Sequence, residues 1–419
     1  MVAVLFAAIV AAMTSCAALA ADETGGELRL RRDARSANET RGPLAEANVL
    51  APGIAPITPS AAVVEAELRG HWKALSANLL LTGAHAEGGA TSSNARFNEL
   101  YASGDFGAWQ ASAGKKIVGW DVGYGFRPND FVQQEERRTL LTLTQEGRPL
   151  VQVEHFKAET ATSLVWVNPQ RLNDPDDEQR FARESALAAR WYTRAGTADV
   201  HLFGRAGRHT GASAGAAVAW VAGESLELHA SARAMQRHDG WRFDESAGTA
   251  PVTANPWQVA TLGHATQWLL GANWTGAAQQ SVLVEWWHDG TALSDAGWDA
   301  WRARNAALGA LGERPGVPAG LLRGVGGNLG WQASPFAATN LRRDNLFVRL
   351  AWQPEHWLFT VDALVTPADH GRVVTAGVQW QGDRVRVNAA WRWYGGAAGS
   401  VIAQVPQRAV GVLAVSWAF

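Results

Sequence analysis

The sequence predicts an all-β chain that closes on itself as an antiparallel transmembrane β-barrel of about 18 strands, within a range of about 16 to 20. Three observations carry this. Segments of roughly ten residues alternate apolar and polar side chains along most of the chain, which is the length a tilted strand needs to cross a bilayer. Beyond the N-terminal segment no run approaches ~18 consecutive apolar residues, so helices cannot be the spanning elements. Tryptophan is abundant, 21 against 4 Tyr, and an indole at a water–lipid boundary buries its ring while keeping its N–H wet.

Residues 2–12 are an unbroken apolar run, followed by small residues and Ala18-Leu19-Ala20, the small-x-small pattern that a signal peptidase reads before Ala21. Residues 1–20 are therefore expected to be a cleaved signal peptide and residues 21–419 the barrel. The segment lacks Lys and Arg, so the terminal amine supplies its positive charge; the apolar run is shorter than the ~20 residues of a spanning helix. Cys16, the only cysteine, lies inside it, and Met13 and Thr14 fit a lipoprotein signal poorly. Cleavage after Ala20 leaves a cysteine-free chain, without disulfides, thiolate catalysis or cysteine-bound metal. Charge is balanced, 37 basic against 39 acidic residues, with no clustered Lys/Arg of the kind a nucleic-acid partner requires.

Period two is clearest in residues 384–393. Val385, Val387, Ala389, Trp391 and Trp393 alternate there with mostly polar residues, Arg384, Arg386 and Arg392 among them. Leu346, Val348, Leu350 and Trp352 alternate with Asn345, Arg349 and Gln353. After a tight turn at 353–356, Trp357, Phe359, Val361, Ala363 and Val365 alternate with His356, Thr360 and Asp362. Residues 225–235 repeat the pattern, and weaker versions occupy 281–287, 186–194 and 63–71. Short turns at 222–224, 275–277 and 381–383 interleave with long polar links near 168–183, 237–263 and 289–344, as short periplasmic turns and long extracellular loops do in such barrels. Counted back from the C-terminus, this alternation holds as far as Gln145. Residues 120–138, with Gly123, Gly125 and Pro128, would then form a periplasmic turn that is too long. They hold either one more strand or a loop folded into the lumen.

Residues 409–419 place Ala409, Gly411, Leu413, Val415, Trp417 and Phe419 on one face, ending in Ser416-Trp417-Ala418-Phe419. Here the sequence resembles outer-membrane porins and their relatives, across residues 21–419 in architecture. The resemblance implies a Gram-negative outer membrane with lipid and lipopolysaccharide around the barrel, and a final strand read by the barrel-assembly machinery. It names no solute and no oligomeric state.

About eight strands leave a barrel filled by side chains, whereas 16 to 18 leave an aqueous channel, so the strand count implies a pore. The faces expected to point inward carry Arg190, Arg205, Arg233, Arg349, Arg384, Arg386 and Arg392, together with Glu227, Glu285 and Asp362; the outward faces carry almost no charge. The expected function is a passive channel for small hydrophilic solutes. Arginines acting as a ladder would favour anions; arginines paired with neighbouring carboxylates would be a structural network. An enzyme acting on lipid or lipopolysaccharide and a partner-dependent export barrel are the alternatives.

Other chemistry has weaker support. Glu227, His229 and Ser231 share a face, as an acyl-transfer triad would, and outer-membrane deacylases use a similar His-x-Ser pair. Here, however, the face points to the lumen and i, i+2 neighbours stand ~7 Å apart, so lumen polarity is the expectation and no catalytic residue is assigned. The acidic run 173–178 lacks the glycine and spacing of a calcium loop, and the histidines lack zinc-ligand spacing, so no metal or cofactor is expected. Gly123-Tyr124-Gly125 reads as a bend. Residues 294–311 read as a helix capped by Ser294, with Trp298, Trp301 and Leu308 apolar, packed over the pore mouth.

Overall fold

A computed structural model describes residues 23–133, 140–141, 145–168 and 184–419. Among these, eighteen strands form one antiparallel sheet. They are β1 (Glu23–Ala37), β2 (Ala61–Trp72), β3 (Leu75–Ala86), β4 (Thr91–Phe106), β5 (Trp109–Lys116), β6 (Arg148–Phe156), β7 (Thr160–Val167), β8 (Ala186–Ala195), β9 (Ala198–Gly207), β10 (Gly211–Val221) and β11 (Leu226–Met235). After a separate hairpin of β12 (His238–Phe243) and β13 (Trp257–Leu262) come β14 (Ala265–Thr275), β15 (Gln280–Asp289), β16 (Asp344–Trp352), β17 (Trp357–Thr366), β18 (Gly371–Gln381), β19 (Val385–Gly396) and β20 (Gln407–Ala418).

β1 pairs with β2 on one side and β20 on the other, with Leu28 opposite Trp417 and Leu30 opposite Val415, so the sheet has no free edge. Beyond the last strand Gly26 and Phe419 exchange two backbone hydrogen bonds of 3.0 Å. Closure matters because hydrocarbon offers no partner to an unpaired N–H or C=O.

The alternation read from sequence sorts the two faces. Leu413 and Leu350 are 54% and 50% exposed on the outside, with Phe359, Val361 and Val415 beside them in an apolar band no water-soluble surface would carry. Trp72, Trp109, Trp220, Trp274, Trp352, Trp357 and Trp417 are exposed next to the short-turn end and form the expected aromatic girdle. Other tryptophans serve differently: Trp257, Trp298 and Trp301 are buried in a cap at the opposite end.

That cap is built from the long links. Its helices are α1 (Pro43–Leu50), α2 (Asp295–Gly312) and α3 (Ala319–Trp331). The Ser294 hydroxyl accepts from the Gly297 N–H at 3.1 Å and starts α2, whose Trp298, Trp301 and Leu308 are essentially inaccessible, as the spacing predicts. Leu308 packs with Leu44, Ala47, Val325 and Leu329, joining α2 to α1 and α3; Trp298 and Trp301 pack with Trp257, Phe336 and Ile402. Four loops thereby share two apolar cores over the barrel mouth. The acidic run at 173–178 and the segment 1–20 lie outside the described residues.

A charge on the apolar band should be far costlier than one on the inner wall. Val361→Arg is expected to lose ~2–4 kcal/mol in reversible unfolding from lipid vesicles, and Thr360→Lys, one position away on the inner face, much less.

Candidate functional site

The residues after β5 decide the shape of the lumen. Residues 117–133 form no strand; they follow β5 at the long-loop end and fold inward, so the described part of the segment 120–138 is a lumen loop, while 134–138 lie outside the described residues. The expectation of a broken alternation before Gln145 is corrected: this link lies at the same end as the other long loops. Val118, Trp120, Phe131 and Val132 bury themselves against Leu150, Val165, Val167, Phe203 and Ala217 of the inner wall, and Phe126 against Leu269 and Trp287. Apolar side chains of β6, β7, β9, β14 and β15 thus line the wall where the loop covers it, among buried polar ones that the loop or neighbouring strands satisfy.

Polar groups pin the loop in place. The Ser231 hydroxyl donates to Asp121 Oδ2 at 2.9 Å, and the Asn129 amide donates to Ser231 Oγ at 2.8 Å. Gly215 leaves room for this approach, since a Cβ there would overlap the Asn129 side chain. Glu285 of β15, fully buried, accepts the Tyr124 N–H on Oε1 at 2.7 Å and the Gly125 N–H on Oε2, while His229 Nε2 stands 2.9 Å from Oε1. The Arg233 guanidinium lies 4.4 Å over the Phe131 ring and donates to the Pro128 carbonyl at 3.2 Å. Burial pushes the Asp121 carboxyl up, against the hydrogen bonds it receives.

The ten charged residues predicted to line the lumen therefore divide. Arg233 and Glu285 hold the loop. Arg190 lies 5.7 Å from the Trp120 ring, beneath the same loop. Arg205 is buried in an ion pair with Glu184 at 2.6 Å. Glu227 lies 3.4 Å from His229 Nδ1. Arg386 faces inward in the half of β19 near the short turns, beside Glu27. Arg384 is corrected: it sits in the exposed turn between β18 and β19 rather than in the wall. The set Glu227, His229 and Ser231 is a loop anchor, because Ser231 donates to Asp121 and His229 turns its Nε2 to Glu285.

Opposite the loop, the wall of β16 to β19 stays open. A cavity of about 710 Å³ lies between Tyr124 and Gly125 of the loop, Arg349, Asp362, Thr375 and Arg392 of the wall, and Phe336, Leu341 and Ile402 of the cap. Arg349 and Asp362, directly paired across β16 and β17, form a two-pronged ion pair at 2.7 Å each; Arg392 Nε donates to Thr375 Oγ1 at 2.9 Å. Sequence periodicity placed these three on the inner face but could not separate them from the others, because the loop that covers the rest is bound from remote strands.

No protein-family model matches the chain, and no curated protein is similar to it in sequence. Solved structures share its fold. OccAB1 of Acinetobacter baumannii aligns over 95% of this chain and 97% of its own at 10% identity, TM-score 0.53. OccK11 of Pseudomonas aeruginosa aligns over 94% and 95% at 8% identity, TM-score 0.50. The fold is that of a porin-like membrane barrel narrowed by an inward loop.

Glu184, just before β8, offers a pH test. Burial alone would raise its carboxyl, but Arg205, Thr210 and the His209 N–H outweigh burial and hold it below its ordinary value. A depressed carboxylate contributes stability above the ordinary range that is lost as pH falls through its folded value. Hydrogen exchange at the His209 and Thr210 amides should accelerate on acidification in that window, and Glu184→Gln should remove the pH dependence.

Proposed function

We propose that the protein is a passive outer-membrane channel of a Gram-negative bacterium for small hydrophilic solutes, with a preference for anions. The observation that carries this reading is the cavity left between the inward loop and the wall of β16 to β19, with charged groups on one side only. Diffusion through it needs no energy source and no chemistry.

The anion preference rests on local charge. Arg349, paired with Asp362, and Arg392, which donates to Thr375, line the cavity wall. In a confined passage with low-dielectric walls, lining arginines raise the local concentration of anions. Arg190, Arg205 and Arg233 are engaged by the loop or by Glu184 and are assigned no selectivity role. Export through a signal peptide at residues 1–20, assembly through the last strand, and a surrounding of lipid and lipopolysaccharide belong to the same proposal. An acyl-transfer activity is not part of it, since Ser231 is not hydrogen-bonded to His229.

The test is the reversal potential of single channels in a planar bilayer under a salt gradient. Wild-type protein should conduct with anion preference. Arg392→Ala should move the reversal potential toward cations, as should Arg349→Ala, which leaves Asp362 uncompensated. Arg384→Ala, in the exposed turn, should move it least. A folded barrel that passes no current would sink the channel reading, and an unmoved reversal potential in both passage variants would sink the selectivity.

A further inference from the structure

Besides Leu140, the inward loop contributes two described residues, Tyr124 and Gly125, to the open passage. What fixes the position of those two residues fixes the width of the passage. The Tyr124 ring stands 5.4 Å from that of His229, with Asn273 and Glu227 as hydrogen-bond partners of its hydroxyl, and Gly125 has no side chain. The backbone N–H groups of both residues go to one carboxylate.

We infer that Glu285 is the positioning residue that sets the channel aperture, holding the loop tip across the lumen by binding two successive backbone N–H groups as an anion is bound. The inference rests on the channel reading. Three features of the site carry it. The carboxylate is fully buried and each oxygen receives one N–H, from Tyr124 and from Gly125. Successive N–H groups converging on one anion form a concavity that needs a full negative charge to be filled. His229, held against β14 where Gly271 has no side chain to obstruct it, supports Glu285 from the opposite side at 2.9 Å. Finally, Gly125 is the residue the arrangement requires, because a Cβ there would fall 2.6 Å from Glu285 Oε2.

The geometry separates position from charge. Glu285→Gln replaces one acceptor oxygen by an NH2 group, so one of the two N–H groups faces a donor, and the charge is lost as well. Gly125→Ala keeps every charge and displaces the tip by contact alone. Both variants should therefore change single-channel conductance, as the tip leaves the position that Glu285 gives it beside the β16–β19 wall.

The experiment is single-channel recording of wild type, Glu285→Gln and Gly125→Ala in planar bilayers, each first shown to be a folded barrel by its heat-modifiable migration. Amide exchange of residues 117–133 is followed in parallel by mass spectrometry. The inference expects altered conductance in both variants and exchange of the Tyr124 and Gly125 amides about tenfold faster in Glu285→Gln, the factor equivalent to ~1.4 kcal/mol. Conductance at the wild-type level in both variants overturns it. So does a change in Glu285→Gln alone, which would mean that the channel reads charge and not loop position. A wild-type barrel that is silent defeats the channel reading instead, and the exchange rates then still decide whether Glu285 holds the tip.

Discussion

The constraint on which the whole structure depends is that no backbone polar group may be left unpaired in hydrocarbon. It turns eighteen strands into a ring, because an open sheet would expose two edges to lipid. The ring in turn fixes every side chain to one of two environments, since successive residues point to opposite faces. Val361 and Asp362 are neighbours in the chain, yet one faces lipid and the other an ion pair with Arg349. A closed ring of this size is wider than its own side chains can fill. The space inside is then occupied by chain from the loops.

The inward loop makes the barrel two structures at once. On the side of β6 to β15 the lumen is a protein core, with Trp120, Phe126 and Phe131 packed as in a soluble domain. Buried polar groups there meet the requirements of such a core: Asp121, Asn129, Ser231, His229 and Glu285 each find partners at hydrogen-bond distance. On the side of β16 to β19 the lumen keeps a cavity of about 710 Å³, lined by Arg349, Asp362 and Arg392. The cap repeats this division at the mouth, joining four loops through two apolar clusters so that their positions relative to the passage are fixed by packing.

Much of the barrel was legible because lipid enforces a strict rule on sequence. Residues 384–393, 345–353 and 357–365 keep an apolar residue at every second position, and the strand count, the hairpin turns and the outward faces follow from it. The helix at Ser294 was legible for a similar reason: a capping residue and the spacing of Trp298, Trp301 and Leu308 are local signals. Helices α1 and α3 were not recognised; α1 is short, and α3 carries five glycines that weaken its helical signature, although Val325 and Leu329 stand one turn apart. Residues 117–133 were ambiguous because their partners are remote: Tyr124 and Gly125 find theirs in β15 and Asn129 its own in β11. The same distance explains why the inner-face arginines looked equivalent. Period two reports which way a side chain points, and cannot report that Arg233 meets Phe131 while Arg349 meets Asp362.

The seam between β1 and β20 has a further consequence. These strands stand far apart in the chain, so the pairings of Leu30 with Val415 and of Gly26 with Phe419 are among the least local contacts of the described residues. Bringing distant residues together costs entropy before any pairing is made, and proteins rich in such contacts acquire their structure slowly. Each hairpin can assemble from neighbours, but the ring acquires its last hydrogen bonds only when both ends are at hand. Until then two strands present bare edges, which is the form in which a barrel is open to mispairing with other chains.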